Sequence, residues 1–179
     1  MDDRTHETLL VLRCQCGDRA ALEELLGAMQ SRLRAHIRRV AGLEAADDVL
    51  QDTLLQICRN LPLLRELQFF RAWAYRIATR AALKSRVRLR LWLDRHDKEA
   101  EVEDLSVEEN IENAVLAGEL LRMMDNVSPA SRAVLSLHYF EDFTLGEIAA
   151  ILQLDIGTVK SRLAYGLKSL RAAAQLTIR

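Results

Sequence analysis

The sequence has few of the residues that interrupt or end helices. Among 179 residues there are only two prolines and seven glycines, and aromatic residues make up 5%. Runs of β-branched residues are missing, whereas the good helix formers alanine, leucine, arginine and glutamate are plentiful. Half of the residues are hydrophobic, which is enough for a packed core. This composition predicts an all-α protein.

Several classes of protein are excluded by what the sequence lacks. No apolar run approaches the roughly 18 residues that a membrane-spanning helix requires. The start, Met1-Asp2-Asp3-Arg4, lacks the pattern of a signal peptide, so we expect a cytoplasmic protein. We find no glycine-rich phosphate loop, no nucleophile–base set and no cluster of metal ligands. The sequence therefore predicts a protein that is not an enzyme and binds neither a cofactor nor a metal.

The three cysteines are too few for a disulfide framework. Cys14 and Cys16 form a C-x-C pair, Cys58 stands alone, and no second pair or His-x3-His motif accompanies them as a zinc site would require. Residues two apart on a helix point to different faces, so we interpret all three as reduced thiols. A redox role for the Cys14 and Cys16 pair is the alternative.

The net charge of −1 conceals a strong segregation of charge along the chain. Residues 1–93 carry 16 basic and 11 acidic side chains, residues 94–112 carry two basic and nine acidic, and residues 113–179 carry seven basic and six acidic. Two weakly basic segments around an acidic one indicate two modules and a linker. We therefore predict domains at residues 1–93 and 113–179, with a linker at 94–112 that reaches roughly 65 Å when extended.

The spacing of apolar residues predicts helices throughout both modules. Capping signals mark several helix starts: Asp18 is a candidate N-cap, Ser128 precedes a proline, and Ser106 and Thr144 each begin a capping box. The predicted helices are a short one at 5–15 and longer ones at 18–36, 44–60, about 68–91, 106–125, 128–140, 144–152 and about 156–174.

The strongest motif lies at residues 144–171. A short helix, a tight turn and a longer helix have the apolar spacing of a helix-turn-helix. From Ile156 to the end of the chain there are five basic residues and no acidic one. Hydroxyl and cationic groups on such a helix suit contacts with phosphates and base edges in a DNA major groove. The residues on this outer face are Thr158, Lys160, Ser161, Arg162, Tyr165, Lys168 and Arg171.

A second basic helix lies in the first module. Residues 69–93 contain seven basic side chains and no acidic one. Arg76, Arg80 and Lys84 are spaced by four and share a face, which suits contact with a phosphate backbone. Trp73, among these cations, suits either the core or stacking on unpaired bases. For the last helix of the chain, a solvated basic helix without a ligand is the alternative.

An amphipathic face on the helix predicted at 44–60 suggests a protein contact. Asp48, Gln51, Asp52 and Leu55 fall at i, i+3, i+4 and i+7, which places them on one face. Two carboxylates and an amide beside an apolar side chain suit a basic partner helix. The alternative is an acidic face that only contacts solvent.

These segments resemble the conserved regions of bacterial sigma factors. The stretch 128–171, with Gly157-Thr158-Val159-Lys160-Ser161-Arg162, resembles the fourth region of extracytoplasmic-function members of the sigma-70 family. In the first half, "AADDVLQDTLLQICRNL" resembles the polymerase-docking helix of the second region, and "FFRAWAYRIATRAALKSRVR" resembles its DNA-melting and −10 recognition helix. The resemblance covers residues 17–90 and 113–173.

The resemblance implies a fold, partners and site residues. It implies a region 2 helical bundle and a region 4 helix-turn-helix joined by the acidic linker, which in the family threads channels of the polymerase. The implied contacts with core RNA polymerase are Asp48, Gln51, Asp52 and Leu55. The implied −10 contacts, which include the preceding loop, are Arg65, Gln68, Arg71, Trp73, Arg76, Arg80 and Lys84. The last helix is implied to read the −35 element.

The function implied by the resemblance is promoter-specific initiation of transcription by RNA polymerase, without chemistry by this chain. Members of the family are usually held inactive by an anti-sigma factor, so such a partner is implied here. Two other functions stay open. The first is a stand-alone helix-turn-helix regulator of transcription. The second is a sigma-like decoy that binds only an anti-sigma protein.

Overall fold

A computed structural model of the protein describes residues 3–95 and 122–177. Within these ranges the regular structure is helical and contains no strand, so the all-α prediction is confirmed. No helix there is both long and apolar enough to cross a membrane. The seven bounded α-helices are α1 (Asp3–Gln15), α2 (Arg19–Ala41), α3 (Ala46–Asn60), α4 (Phe70–Arg95), α5 (Pro129–Tyr139), α6 (Leu145–Leu152) and α7 (Ile156–Thr177).

Three helices begin with the N-caps that the sequence predicts. The carboxylate of Asp18 and the hydroxyl of Ser128 each accept the backbone N–H three residues on, at 3.1 and 3.3 Å. At the start of α6, the Thr144 hydroxyl accepts the N–H of Glu147 at 3.3 Å, and the Glu147 carboxylate accepts the N–H of Thr144 at 2.8 Å. These side chains satisfy donors that a helix start leaves unpaired.

Some boundaries differ from the predicted ones. Helix α2 continues to Ala41, past the predicted end at residue 36, because Ile37 and Val40 extend its buried stripe. It ends at Gly42, whose φ of 95° suits glycine. Helix α4 runs through residues 94–95, two residues into the predicted linker.

Two predicted segments fall largely outside the described residues. Of the predicted linker, residues 96–112 lie outside them. Of the helix predicted at 106–125, only residues 122–125 are described, and these are helical.

The first half is a bundle of four helices with α2 at its centre. Helix α2 packs against α1, α3 and α4. Its buried residues, such as Leu25, Leu33 and Ile37, recur every three or four positions, which is the period of one helix face. Phe70, at the start of α4, is fully buried against them. Each such side chain contributes about 1.5–3 kcal/mol when it leaves water.

The second half contains the predicted helix-turn-helix. Ile148 and Ile151 of α6 and Val159 of α7 are buried across the turn. The turn itself begins at Gln153, which has left-handed backbone angles (φ 55°, ψ 52°). Its N–H donates to the carbonyl of Ala149, so the end of α6 is closed without a glycine.

The two halves pack on one another and share one core. Helix α5 lies against α2 and α4, and α6 lies against α4. Leu137, Phe143 and Ile148 from the second half belong to the same buried cluster as Leu33 and Phe70 from the first. The segregation of charge along the sequence therefore does not divide the core into two.

Helices α5 and α7 approach closely at Gly166. A Cβ at this position would lie 2.8 Å from Cδ1 of Leu135 and 3.3 Å from Cβ of Ser131, and both of these residues are buried. Glycine is therefore required here for space, although it lies within a helix.

We predict that Gly166→Ala destabilises the protein by about 1–3 kcal/mol, because the added methyl group overpacks the interface between α5 and α7. The matched control is Gly27→Ala within α2, where a Cβ meets no atom within 4 Å. That change should stabilise the protein by about 1 kcal/mol or less through helix propensity. Thermal unfolding followed by circular dichroism measures both, and a Gly166→Ala protein as stable as the control would contradict the prediction.

Candidate functional site

The candidate polymerase contacts lie together on the outer face of α3. Asp48, Gln51, Asp52 and Leu55 are all exposed, and Leu55 leaves 46% of its surface accessible. The opposite face of the helix is buried through Val49, Leu50 and Ile57. Helix α3 therefore presents an acidic stripe with an apolar side chain to solvent, on one face as the spacing of these residues predicts.

The candidate −35 contacts lie along the outer face of α7. Of the seven, only Thr158 and Arg162 are half-buried, and the other five are exposed. Tyr165 is 63% exposed. The Ser161 hydroxyl donates to the carbonyl of Thr158 at 3.0 Å, a bond within the first turns of the helix. Because buried Val159 holds the other face against α6, the cationic face of α7 points away from the core.

The candidate −10 contacts form two groups that differ in their surroundings. Arg65 and Gln68 are exposed in the loop before α4, where the Gln68 side chain donates to Glu66 at 2.7 Å. Lys84 is exposed farther along α4. The remaining four, which face the second half of the chain, are Arg71, Trp73, Arg76 and Arg80.

Trp73 and Arg76, together with Arg65 of the preceding loop, line a groove of about 420 Å³ between the two halves. The second half contributes Ala150 and Ile151 of α6 to its opposite wall. Trp73 is half-buried, and its ring lies 6.1 Å from that of Phe70. The position of Trp73 is thus intermediate between the two alternatives for it, since it packs on the core and also lines an open groove.

Arg71 and Arg80 bind the second half directly. The Arg80 guanidinium donates to the side-chain oxygen of Gln153, in the turn of the helix-turn-helix. Arg71 donates to the backbone carbonyl of Glu141 at 2.5 Å and lies 4.0 Å from its carboxylate. Two of the α4 side chains that the sequence assigns to DNA therefore contact the second half of the protein in this structure.

Glu141 is the centre of a buried ionic cluster that the sequence does not predict. Its side chain is only 3% exposed, and its carboxylate lies 3.3 Å from Arg32 and 3.3 Å from Arg39, both of α2. The hydroxyl of Tyr75 also donates to this carboxylate. We call Arg32, Arg39, Arg71, Tyr75 and Glu141 the Glu141 cluster.

Burial shifts the pKa values of two members of the cluster, Tyr75 and Arg39. Burial raises the pKa of Tyr75, and its hydrogen bond to Glu141 raises it further, so the phenol stays protonated and remains a donor. Burial lowers the pKa of Arg39, while the Glu141 carboxylate acts in the opposite direction. An isolated buried carboxylate is costly, and the arginines together with Tyr75 offset that cost here.

Two aromatic rings flank Glu141 and extend the contact. The guanidinium of Arg39 lies 3.8 Å from the ring centroid of Phe140, and that of Arg71 lies 4.8 Å from the centroid of Phe143. Such cation–π contacts stabilise by roughly 0.5–2 kcal/mol. The turn between α5 and α6 therefore binds arginines from two helices of the first half through both charge and aromatic faces.

A buried histidine adds a second polar connection between the halves. His36 of α2 is fully buried between Thr79 of α4, at 2.8 Å from Nε2, and Ser136 of α5, at 2.9 Å from Nδ1. Because the Thr79 hydroxyl donates to the carbonyl of Tyr75, its oxygen accepts the Nε2–H of His36. Nδ1 therefore carries no proton and accepts the hydroxyl of Ser136.

The sequence carries no periodic signal for these contacts. Glu141 lies between two aromatic residues just after α5, and its partners are 66 to 109 residues away along the chain. None of the three free cysteines belongs to the Glu141 cluster. No group of three or more potential metal ligands occurs in the described ranges.

Comparison with known families matches both halves of the chain. The family model described as Sigma-70 region 2 matches residues 17–92, and the one described as Sigma-70, region 4 matches residues 117–170. Together these models cover well over half of the sequence, in the order that the motifs predict.

Curated relatives match over most of the chain. The chain is 26% identical over 194 aligned residues to the ECF RNA polymerase sigma-E factor of Escherichia coli (strain K12), with full coverage of both proteins. It is 28% identical over 164 residues to the ECF RNA polymerase sigma factor SigE of Mycolicibacterium smegmatis, with coverage of 87% of this chain and 63% of that protein.

Two solved structures share the fold. CnrH in complex with the cytosolic domain of CnrY gives a TM-score of 0.67 at 23% identity, with 96% of this chain and 98% of that chain covered. The sigma factor RpoE in complex with the anti-sigma factor NepR from Bartonella quintana gives 0.72 at 21% identity, with 86% and 96% covered.

We predict that acid destabilises the protein through His36. Burial, with the nearby charge of Arg39, lowers the pKa of His36 to about 3 from an ordinary 6.5. Below pH 6.5 His36 is protonated in the unfolded chain but stays neutral in the folded chain. The free energy of unfolding therefore falls as the pH decreases towards 3. Between pH 7 and pH 5 this one group should remove about 2 kcal/mol from the free energy of unfolding.

The control for this prediction is His36→Gln, which cannot titrate. Urea unfolding of both proteins at pH 7 and pH 5 measures the effect. Between pH 7 and pH 5 the free energy of unfolding of the wild-type protein should fall by about 2 kcal/mol more than that of the variant. Equal losses in the two proteins would show that His36 does not stay neutral in the folded state.

Proposed function

We propose, because this chain belongs to the sigma-70 family as an extracytoplasmic-function sigma factor, that it binds core RNA polymerase and directs it to specific promoters. The observation that carries the proposal is the separation of three surfaces in one small fold. An acidic stripe lies on α3, and two cationic helices lie in different halves. A protein with these surfaces can bind the polymerase and two stretches of DNA.

The stripe on α3 is proposed as the polymerase contact. Asp48, Gln51, Asp52 and Leu55 are exposed and need no rearrangement to meet a partner. Their carboxylates would pair with basic residues of the largest polymerase subunit, and Leu55 would be covered in the complex. Charge pairs of this kind increase the rate of association and fix the orientation of the partner.

The cationic face of α7 is proposed to read the −35 element. Lys160, Lys168 and Arg171 are exposed and would bind phosphates. Thr158, Ser161 and Arg162 lie near the start of the helix, which is the part that contacts base edges in helix-turn-helix proteins. Phosphate contacts supply most of the affinity, and contacts with base edges supply specificity.

The −10 element is proposed to bind along α4 and the loop before it. Arg76, Arg80 and Lys84 lie at intervals of four residues on this helix and would follow one strand of DNA. Trp73 would support an unstacked base. Arg65 and Gln68, exposed in the loop, would contact a base next to it.

The remaining parts of the proposal concern partners and location. An anti-sigma factor is the proposed regulator, as in the Bartonella quintana complex. The chain would act in the cytoplasm, where the polymerase acts, and would itself catalyse no reaction. The two modules of the chain are proposed to comprise residues 1–93 and 113–179, with the acidic segment 94–112 as the linker between them.

Transcription with purified components tests the proposal. The chain and core polymerase, incubated with a diverse pool of promoters, should yield run-off RNA from a subset of them. An ordinary helix-turn-helix regulator would bind DNA tightly without polymerase, and a decoy would yield no RNA. Absence of RNA from every promoter would exclude the proposed function.

With the same purified components, Asp48→Asn with Asp52→Asn should weaken binding to the polymerase, measured by fluorescence anisotropy of the labelled chain, by about tenfold or more, because two charge pairs are removed from the interface. Neither residue is buried, so circular dichroism should show an unchanged fold. The matched control is Glu23→Gln with Glu44→Gln, which removes two exposed acidic charges elsewhere in the first half. If the control weakens binding equally, the stripe is not the polymerase-binding surface.

We further predict that Lys160→Ala with Lys168→Ala weakens binding to duplex promoter DNA and leaves polymerase binding unchanged. Removal of each lysine–phosphate pair should reduce the slope of log affinity against log salt concentration by about one. The matched control is Arg19→Ala with Arg59→Ala, which removes two exposed basic residues of the first half. Fluorescence anisotropy over a salt series measures the slope for the lysine variant and for the arginine control. Identical slopes in the two proteins would contradict the assignment of α7 to DNA.

A further inference from the structure

We propose that Gln15, the last residue of α1, is a positioning residue that determines base selection at the −10 element without itself contacting DNA. Its side chain holds the loop before α4 in the conformation that presents Arg65 and Gln68 to a base. The inference deepens the proposed function and rests on it for the assignment of this loop to DNA.

The loop between α3 and α4 has little regular structure of its own. It consists of two single 3₁₀ turns, Leu61–Leu63 and Leu67–Phe69, joined by a short non-helical segment. The first turn is closed by a local bond, in which the N–H of Leu64 donates to the carbonyl of Leu61 at 3.1 Å. Such a turn orders only its own residues. The position of Arg65, in the segment between the turns, therefore depends on contacts from outside the loop.

Gln15 provides such a contact to the backbone of the loop. Its side-chain nitrogen donates to the carbonyl of Leu61 at 3.0 Å and to the carbonyl of Leu64 at 2.8 Å. Because carbonyls only accept, the nitrogen of the amide and not its oxygen faces them, and both of its N–H groups are used. The carbonyl of Leu64 immediately precedes Arg65, so the two bonds fix the point from which this residue extends.

The end of α1 is itself held firmly. The guanidinium of Arg13 donates to the carboxylate of Asp18 through two nitrogens, at 2.7 and 2.9 Å, across the turn that joins α1 to α2. One turn before the end of the helix, Leu10 and Val11 are buried in the core. Gln15 therefore extends from a packed helix, and a side chain on such an element is positioned more precisely than one on a loop.

The side chains of the loop divide into an inner and an outer set. Leu61 is buried, and Leu64 and Leu67 are half-buried against the core, whereas Arg65 and Gln68 are exposed. Apolar contacts hold the loop against the core but have no direction of their own. The bonds from Gln15 are directional and engage two particular carbonyls, so they determine where the outer side chains lie.

Loss of these bonds should affect the choice of base more than the affinity for DNA. Attraction between a cation and a phosphate changes gradually with distance, whereas a hydrogen bond to a base edge weakens steeply when its angle changes. Arg76 and Lys84, which are proposed to follow the phosphates, lie on α4 and do not depend on the loop. A displaced loop would therefore leave the strand bound and its sequence poorly read.

The test compares Gln15→Met with Gln30→Met in the full chain bound to core polymerase. Methionine has nearly the shape of glutamine but no N–H donor. Gln30 is exposed on α2, so the control makes the same chemical change away from the loop. The templates are promoters selected with the wild-type chain, then randomised over the −10 element and bar-coded, so that counts of run-off RNA give the base preference at each position. Hydrogen exchange over residues 61–69 and thermal unfolding are measured on the same proteins.

Gln15→Met should reduce the preference for the favoured base by about fivefold at one position or at two adjacent ones, the factor to which one net hydrogen bond corresponds. The other positions should keep their preferences, and amide exchange in residues 61–69 should become faster. Gln30→Met should behave as the wild-type chain does in both measurements.

An unchanged base preference in Gln15→Met would overturn the inference even if thermal stability fell, because Gln15 would then serve the fold alone. An equal loss of preference at every position would overturn it as well. If Gln15→Met fails to fold, Gln15→Glu decides in its place, since a carboxylate of the same length accepts hydrogen bonds but donates none.

Failure of the inference is distinguishable from failure of the proposed function. A wild-type chain that yields run-off RNA, with the same base preference in Gln15→Met, would leave the function intact and remove the role of Gln15. A wild-type chain that yields no RNA from any promoter would exclude the function and base selection with it. Faster exchange in residues 61–69 of Gln15→Met would then show only that Gln15 holds the loop.

Discussion

The burial of one carboxylate constrains the whole arrangement of this protein. A carboxylate that is only 3% exposed needs several donors around it, and Arg32, Arg39 and Arg71 provide them for Glu141. The turn after α5 is therefore held at the junction of α2 and α4. Apolar packing brings the halves together without direction, whereas the ionic contacts and His36 select one orientation.

The same physical chemistry explains how the arginines of α4 are satisfied in this fold. Arginines on α4 need an acceptor, and they find it in the carboxylate of Glu141 and the amide oxygen of Gln153, both in the second half. The phosphates of DNA are acceptors of the same kind. Arg71 and Arg80, which the proposed function assigns to the −10 element, therefore also link the two halves of the chain.

Local features of the fold were predictable from the sequence, and long-range ones were not. Asp18, Ser128 and the Thr144 capping box act through neighbours three residues away, so their roles follow from spacing alone. The exposed faces of α3 and α7 follow from helical periodicity. The partners of Glu141 do not, because no periodicity relates residues about 100 positions apart. Nor does composition indicate that arginines of α4 would bind residues of the second half.

Gln153 illustrates how these constraints bear on sequence change over evolutionary time. Its left-handed backbone suits glycine best, and a glycine there would relax the turn that sets α7 against α6. Glycine would also delete the oxygen that binds Arg80. Selection on this one position is therefore divided between the geometry of the turn and the contact between the halves. Lineages in which Arg80 has been replaced should be free to drift to glycine at this position, and those that retain Arg80 should not.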